Sequence, residues 1–208
     1  MPMITLHVDG RRVNVAPGAT LLDAADEAGV FVPRLCHLPG FSPRSVCRMC
    51  MVRREGQPAL VPACSTPAAP GDVIITAADD LVNLRSTLVE LSLAEHGPCA
   101  DEDCDVTRQA RMVGVEGTRF SAPRPAEGLT AITGYISADF SLCVHCDRCI
   151  RVCSERGALA RVGRGAAVSA GFVTTPRGSE GSPCTTCGDC LAVCVGHALQ
   201  ARRGPAGS

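Results

Sequence analysis

The sequence predicts an α+β chain of two small modules joined by a helical stretch, and three observations carry that expectation. Near the N-terminus a strand–turn–strand pattern is followed by an amphipathic helix and further short strands, the order of a β-grasp sheet. Near the C-terminus the run Cys143-Val-His-Cys146-Asp-Arg-Cys149-Ile-Arg-Val-Cys153 is answered by Cys184-Thr-Thr-Cys187-Gly-Asp-Cys190-Leu-Ala-Val-Cys194, so one C-x2-C-x2-C-x3-C motif occurs twice. The chain of 208 residues also has only five Phe, one Tyr and no Trp, too few large side chains to fill two cores easily, whereas its fourteen Cys can act as staples.

The front module is expected over residues 1–77. Met3–Val8 alternates apolar and polar, Asp9-Gly10 is a hairpin turn signal, and Val13–Val15 returns as the second strand. Thr20 is placed to cap a helix whose buried stripe is Leu21, Leu22, Ala25 and Ala28, with Gly29 as its stop. Met51–Arg54, Ala59–Cys64 and Val73–Thr76 read as later strands. Between and after them stand Cys36, Cys47, Cys50 and Cys64, spaced C-x10-C-x2-C-x13-C. Plant-type [2Fe–2S] proteins use C-x4-C-x2-C and a distant fourth cysteine, so the first gap here is longer.

That long gap, with Leu35-Cys36-His37-Leu38-Pro39-Gly40 before Cys47-Arg48-Met49-Cys50, resembles the [2Fe–2S] domain at the front of the large iron–sulfur subunit of respiratory complex I. It also resembles the matching subunits of NAD-reducing hydrogenases and NAD-linked formate dehydrogenases. The resemblance implies a [2Fe–2S] cluster on these four cysteines, with structural zinc as the competing occupant.

Residues 78–134 are expected to form a helix and a linker. Ala78–Glu95 is helical in pattern, with Leu81, Leu84, Leu88, Leu91 and Leu93 along one face. Glu95-His96-Gly97-Pro98-Cys99-Ala-Asp-Glu-Asp-Cys104 follows. In the resembling families this place holds a histidine and three cysteines for a further [4Fe–4S] cluster, and here one cysteine is missing. Three readings compete for His96, Cys99 and Cys104: a fourth ligand from Asp101, Asp103 or Asp105, a labile three-ligand cluster, or a lost cluster. Loss or lability is expected, because the acidic run would add negative charge beside an anionic cluster. Thr107–Val113 can form a short helix, and the Gly- and Pro-rich stretch from Gly114 to Gly134 reads as a connector.

Residues 135–200 carry the duplicated motif, whose spacing is that of bacterial two-cluster ferredoxins. In that pattern the first three cysteines of a run wrap one [4Fe–4S] cube and the fourth reaches its neighbour. The expected sets are Cys143, Cys146, Cys149 and Cys194 on one cluster, and Cys153, Cys184, Cys187 and Cys190 on the other. Ser154 and Val195 replace the proline that often follows the fourth cysteine. Between the runs, Arg161–Gly165 and Ala166–Phe172 suggest an inserted β-hairpin, similar to the formate dehydrogenase branch. His37, His145 and His197 stand near ligands and are expected mostly to be solvated. Arg148, Arg151 and Arg156 partly offset cluster charge. Residues 201–208 form a frayed tail.

A net charge of −1 gives no electrostatic case for nucleic acid. The N-terminus lacks the basic and apolar regions of a secretory signal, and no apolar stretch is long enough to span a membrane, so a cytoplasmic protein is expected. No G-x-G-x-x-G joins a strand to a helix, no nucleophile stands with a base, and no pterin-binding region follows the second motif. The expected role is a non-catalytic wire in an NAD(P)-linked oxidoreductase. The resemblance implies two partners, a flavin subunit that binds NAD(P) and a catalytic subunit holding molybdenum or tungsten (formate dehydrogenase) or nickel and iron (hydrogenase). The insertion tilts the choice slightly towards formate dehydrogenase. A free-standing carrier and a zinc-stapled scaffold are the alternatives.

Overall fold

The computed structural model describes residues 2–98, 103–122, 127–153, 159–161, 172–173, 184 and 186–202. They fall into two compact units. One runs to Glu90 and takes in Gln109–Gly117; the other comprises Leu91–Arg108 and the chain from Thr118 onward.

In the first unit, β1 (Ile4–Val8) and β2 (Arg11–Val15) form the expected hairpin, pairing Ile4 with Val15 and Val8 with Arg11. Asp9 and Gly10 turn it with φ of 46° and 78°, the left-handed pair that a two-residue hairpin requires. Helix α1 (Leu21–Glu27) begins where Thr20 predicts. The Thr20 Oγ1 accepts from the Asp23 amide at 3.2 Å, and the Thr20 amide donates to Asp23 Oδ2 at 2.7 Å. β3 (Met51–Arg54), β4 (Val61–Pro62) and β5 (Val73–Ile75) complete a five-stranded sheet in the order β2-β1-β5-β3-β4, with β1 and β5 parallel. Leu6, Val8, Leu21, Leu22, Val32, Val52 and Ile74 are completely buried in its core, where Cys50 and Cys64 also pack.

Helix α2 (Asp79–Glu95) and helix α3 (Asp105–Met112) each pass from one unit to the other. The buried face of α2 differs from the leucine stripe that periodicity suggests. Leu81, Arg85 and Val89 are buried, Leu84 and Leu88 only half-buried, and Leu91 exposed.

In the second unit β6 (Leu129–Ala131), β7 (Ile136–Asp139) and β10 (Leu199–Ala201) form an antiparallel sheet in the order β10-β7-β6. β6 lies inside the expected connector. It is an exposed edge strand, so it carries no apolar alternation to betray it. A 3₁₀ turn (Phe140–Leu142) leads into the first cysteine run, which α4 (Arg148–Val152) follows, and α5 (Asp189–Ala192) follows the second run in the same way. β8 (Ala160–Arg161) and β9 (Phe172–Val173) pair antiparallel, the base of the expected hairpin; its Gly-Arg-Gly turn lies outside the described residues.

The capping box generates a test of this local reading. Thr20→Ala removes the acceptor for the Asp23 amide and is expected to cost about 1 kcal/mol in denaturant unfolding of the first unit. A stability equal to the wild type would show that the helix start is held by the sheet alone.

Candidate metal centres

The four cysteines of the first unit converge. Cys36, Cys50 and Cys64 are buried and Cys47 half-buried. Their sulfurs form a continuous series of contacts, Cys47 with Cys36, Cys36 with Cys64, and Cys64 with Cys50. The bond to Cys36, followed by burial, pushes the Cys47 thiol far up; the bond received from Cys64 brings Cys50 down. For Cys64 the bond from Cys36 favours the thiolate, but the bond to Cys50 and burial outweigh it and raise the thiol. Ser45, with φ of 51°, sets its hydroxyl 3.5 Å from Cys64 Sγ and 2.7 Å from Ser65 Oγ. Four sulfur donors at one buried place are the donor set of a [2Fe–2S] cluster, so the residues fit one.

Beside this site stands a cation that residue patterning does not single out. Arg85 of α2 is buried, and its Nη2 donates to the carbonyl of Met51, the residue after Cys50, at 2.8 Å. Its Nη1 donates to the Thr76 carbonyl at 2.6 Å. Asp9 takes the Thr76 amide at 2.7 Å and its hydroxyl at 2.5 Å. Burial lowers the guanidinium pKa, while Asp9 and Cys50 oppose that shift. The signal in the sequence is its spacing: Leu81, Arg85 and Val89 follow one another by four, on a single helical face.

In the second unit the duplicated runs have the same backbone. His145 and Asp147 take φ of 55° and 63° between the cysteines of the first run, and Thr186 and Gly188 take 59° and 79° at the equivalent places of the second. These left-handed steps curl each C-x2-C-x2-C around a centre and launch α4 and α5 directly from it. One open cavity is lined by Cys143, Cys146, Cys149 and Cys194. A second is lined by Cys153, Cys184, Cys187 and Cys190. The last cysteine of each run thus joins the first three of the other, and both sets fit the donor demand of a cube.

Burial, then the charges of Cys146, Cys194 and Cys143, drive the Cys149 thiol well up; burial and Cys153 raise Cys190 to about 11. Burial also raises Cys194, against amides of residues 196–199 that hydrogen-bond its sulfur. His145 Nδ1 lies 3.7 Å from Cys143 Sγ, whereas His197 is exposed. Arg148 pairs with Asp105 at 3.2 Å, Arg151 is buried, and Arg156 lies outside the described residues.

The middle site is different. His96 and Cys104 are buried in contact, with Nε2 3.4 Å from Sγ, and the Thr107 hydroxyl is 3.4 Å from the same sulfur. Asp105 pairs with Arg108 and Arg148, and Asp103 is exposed. Cys99 and Asp101 lie outside the described residues. This stretch supplies one histidine and two cysteines, one donor short of the four that a cube takes, so it does not match the other two sets.

Residues 1–79 match the model of the 2Fe-2S iron-sulfur cluster binding domain. The chain is 32% identical over 206 residues to the G 2 subunit of NADH-quinone oxidoreductase from Rhizobium meliloti (strain 1021), covering 95% of this chain and 24% of that protein. It is 32% identical over 215 residues to the NADP-reducing hydrogenase subunit HndD of Solidesulfovibrio fructosivorans, covering 96% and 36%. The chain is homologous to part of the complex I large iron–sulfur subunit and to part of the NAD(P)-reducing hydrogenase subunits. These relatives are subunits of NAD(P)-linked oxidoreductases, and the chain spans about a quarter to a third of their length. A chain in the crystal structure of NAD+-reducing [NiFe]-hydrogenase in the H2-reduced state superposes with a TM-score of 0.79 at 26% identity, over 99% of this chain and 90% of that one. The mixed α+β fold is therefore shared with that hydrogenase chain. Among the described residues no helix is long and apolar enough to cross a membrane.

Two tests follow from this geometry. Arg85→Met strands two buried carbonyls and is expected to cost about 3 kcal/mol in unfolding of the full chain; a loss below about 1 kcal/mol would mean that solvent replaces the guanidinium. Thr186 is β-branched at a left-handed φ, so Thr186→Gly should stabilise the metal-loaded chain by about 1 kcal/mol, read as a raised Tm. A lowered Tm would mean that the Thr186 side chain contributes more to the loop than its backbone costs.

Proposed function

We propose that this chain is an iron–sulfur wire that relays single electrons between a catalytic subunit and a flavin subunit that binds NAD(P). The observation that carries the reading is the sorting of twelve cysteines into three quartets, two of which exchange their last member between duplicated runs. Cys36, Cys47, Cys50 and Cys64 would hold a [2Fe–2S] cluster. Cys143, Cys146, Cys149 and Cys194 would hold one [4Fe–4S] cluster, and Cys153, Cys184, Cys187 and Cys190 the other. Such clusters take up and release one electron at a time with little change in shape.

The chain's own part is to seat and tune them. Buried sulfur excludes water, and amide donors to Cys194 and Cys47 stabilise negative sulfur and so favour the reduced state. Arg85 places a buried positive charge beside the front site to the same effect. The thiols held up by burial must lose their protons when metal binds, so loading releases protons at neutral pH.

For the catalytic partner, the hydrogenase named among the relatives favours a hydrogenase, and the solved structure favours the [NiFe] type. A formate dehydrogenase is the other candidate, on the resemblance of the insertion between β8 and β9.

The test is an oxygen-free purification of the native complex through a tag on this chain, with element analysis. Nickel with iron is expected for a hydrogenase, molybdenum or tungsten for a formate dehydrogenase. A colourless monomer with stoichiometric zinc would identify a scaffold, and a brown monomer a free carrier. Within the complex, Cys187→Ser is expected to remove about four irons and to stop electron delivery to the flavin partner; unchanged delivery would overturn the relay.

A further inference from the structure

We infer that His96 is a positioning residue for the Cys143/Cys146/Cys149/Cys194 seat and that the His96–Cys104 site holds no cluster. The inference rests on the reading of that seat as a cube site.

The imidazole is fully engaged by the chain itself. Its Nδ1 lies 2.8 Å from the Leu142 carbonyl oxygen, which can only accept, so the ring donates from Nδ1. Nε2 therefore carries the lone pair, and the Cys104 thiol at 3.4 Å donates to it. In this tautomer both ring nitrogens are satisfied. A ring that donates from Nδ1 to a carbonyl can still ligate through Nε2, so the donor count decides: the stretch supplies His96, Cys99 and Cys104, one short of the four a cube takes, and Asp105 is committed to Arg108 and Arg148.

What the ring holds is the backbone of the neighbouring seat. Leu142 immediately precedes Cys143. Gly97 adds a second bond to the same turn, its amide donating to the Ser141 carbonyl at 2.8 Å. On the other side the ring abuts Gly196, two residues beyond Cys194. A Cβ built at Gly196 would stand 3.0 and 3.1 Å from ring atoms and 2.5 Å from the Leu142 oxygen. The His96–Gly97 corner is thus wedged between the segment that delivers the first sulfur of the seat and the segment that delivers its last. Fixing the Leu142 carbonyl also fixes a dipole one residue from a cluster sulfur, and such dipoles shift cluster potentials. A position that ligates metal in resembling families serves here as a strut for the next site.

The experiment uses the full chain purified without oxygen, in wild-type form and as His96→Ala, His96→Asn and Cys104→Ser. Iron, acid-labile sulfide and zinc are measured together with redox-poised electron paramagnetic resonance. The wild type is expected to carry about ten irons, for one [2Fe–2S] and two [4Fe–4S] clusters, and no stoichiometric zinc. His96→Ala should displace the midpoint potential and line shape of one [4Fe–4S] signal and leave the [2Fe–2S] signal alone. His96→Asn, whose amide can still donate to the Leu142 carbonyl, should restore that signal, and Cys104→Ser should retain all the iron. About fourteen irons in the wild type, zinc that Cys104→Ser removes, or unchanged [4Fe–4S] signals in His96→Ala would each overturn the inference. About two irons would instead take down the cube reading, and this inference with it.

Discussion

Bringing four sulfur atoms to one point, inside protein and without water, is the constraint to which both units answer. Thiols are poor hydrogen-bonding groups, and twelve of them gathered in three places would be weak centres for a fold unless metal joined them. The cores are built around that need: Cys50 and Cys64 pack within the front core, and Cys149 and Cys190 within the rear one. Burying the sulfurs and burying apolar surface are therefore one act in each unit. A metal bound at each site would cross-link segments that packing alone would hold weakly, which would let so few large aromatic side chains suffice.

The backbone bears the cost of the convergence. Most residues with left-handed φ outside glycine lie within the cysteine runs or close to a cysteine: Ser45, Arg48, His145, Asp147, Thr186 and His197. The two rear runs solve the same problem with different residues, Asp147 where the other has Gly188, which is what a duplicated element shows after its copies have drifted. Neither α4 nor α5 has a side-chain cap, because each starts from the curl of the run and needs no separate start signal. Second-sphere groups then adjust each site differently: a hydroxyl at Cys64, an imidazole near Cys143, amides around Cys194.

What the sequence made legible was local. The hairpin turn at Asp9-Gly10 and the cap at Thr20 both depend on short spacings with fixed geometric meaning. The elements that escaped depend on distant partners. Arg85 interrupts a leucine pattern and reads as a surface residue until Met51 and Thr76 are seen to supply its acceptors. Leu91 belongs to the leucine pattern and is nonetheless exposed. The bond from His96 to Leu142 spans 46 positions and leaves no periodic trace. Strand β6 is exposed along its whole length and is defined only by its pairing with β7.

The raised thiols have a meaning for the life of the chain before any iron arrives. Sulfur attacks disulfides and peroxides as the thiolate, and a protonated thiol is nearly inert. Cys149 and Cys190 are held protonated at neutral pH by their burial, so a newly folded, unloaded chain keeps these sulfurs chemically quiet. Among the described cysteines Cys187 alone is exposed, at the mouth of its seat, so solvent and oxidants reach it most readily in an empty chain.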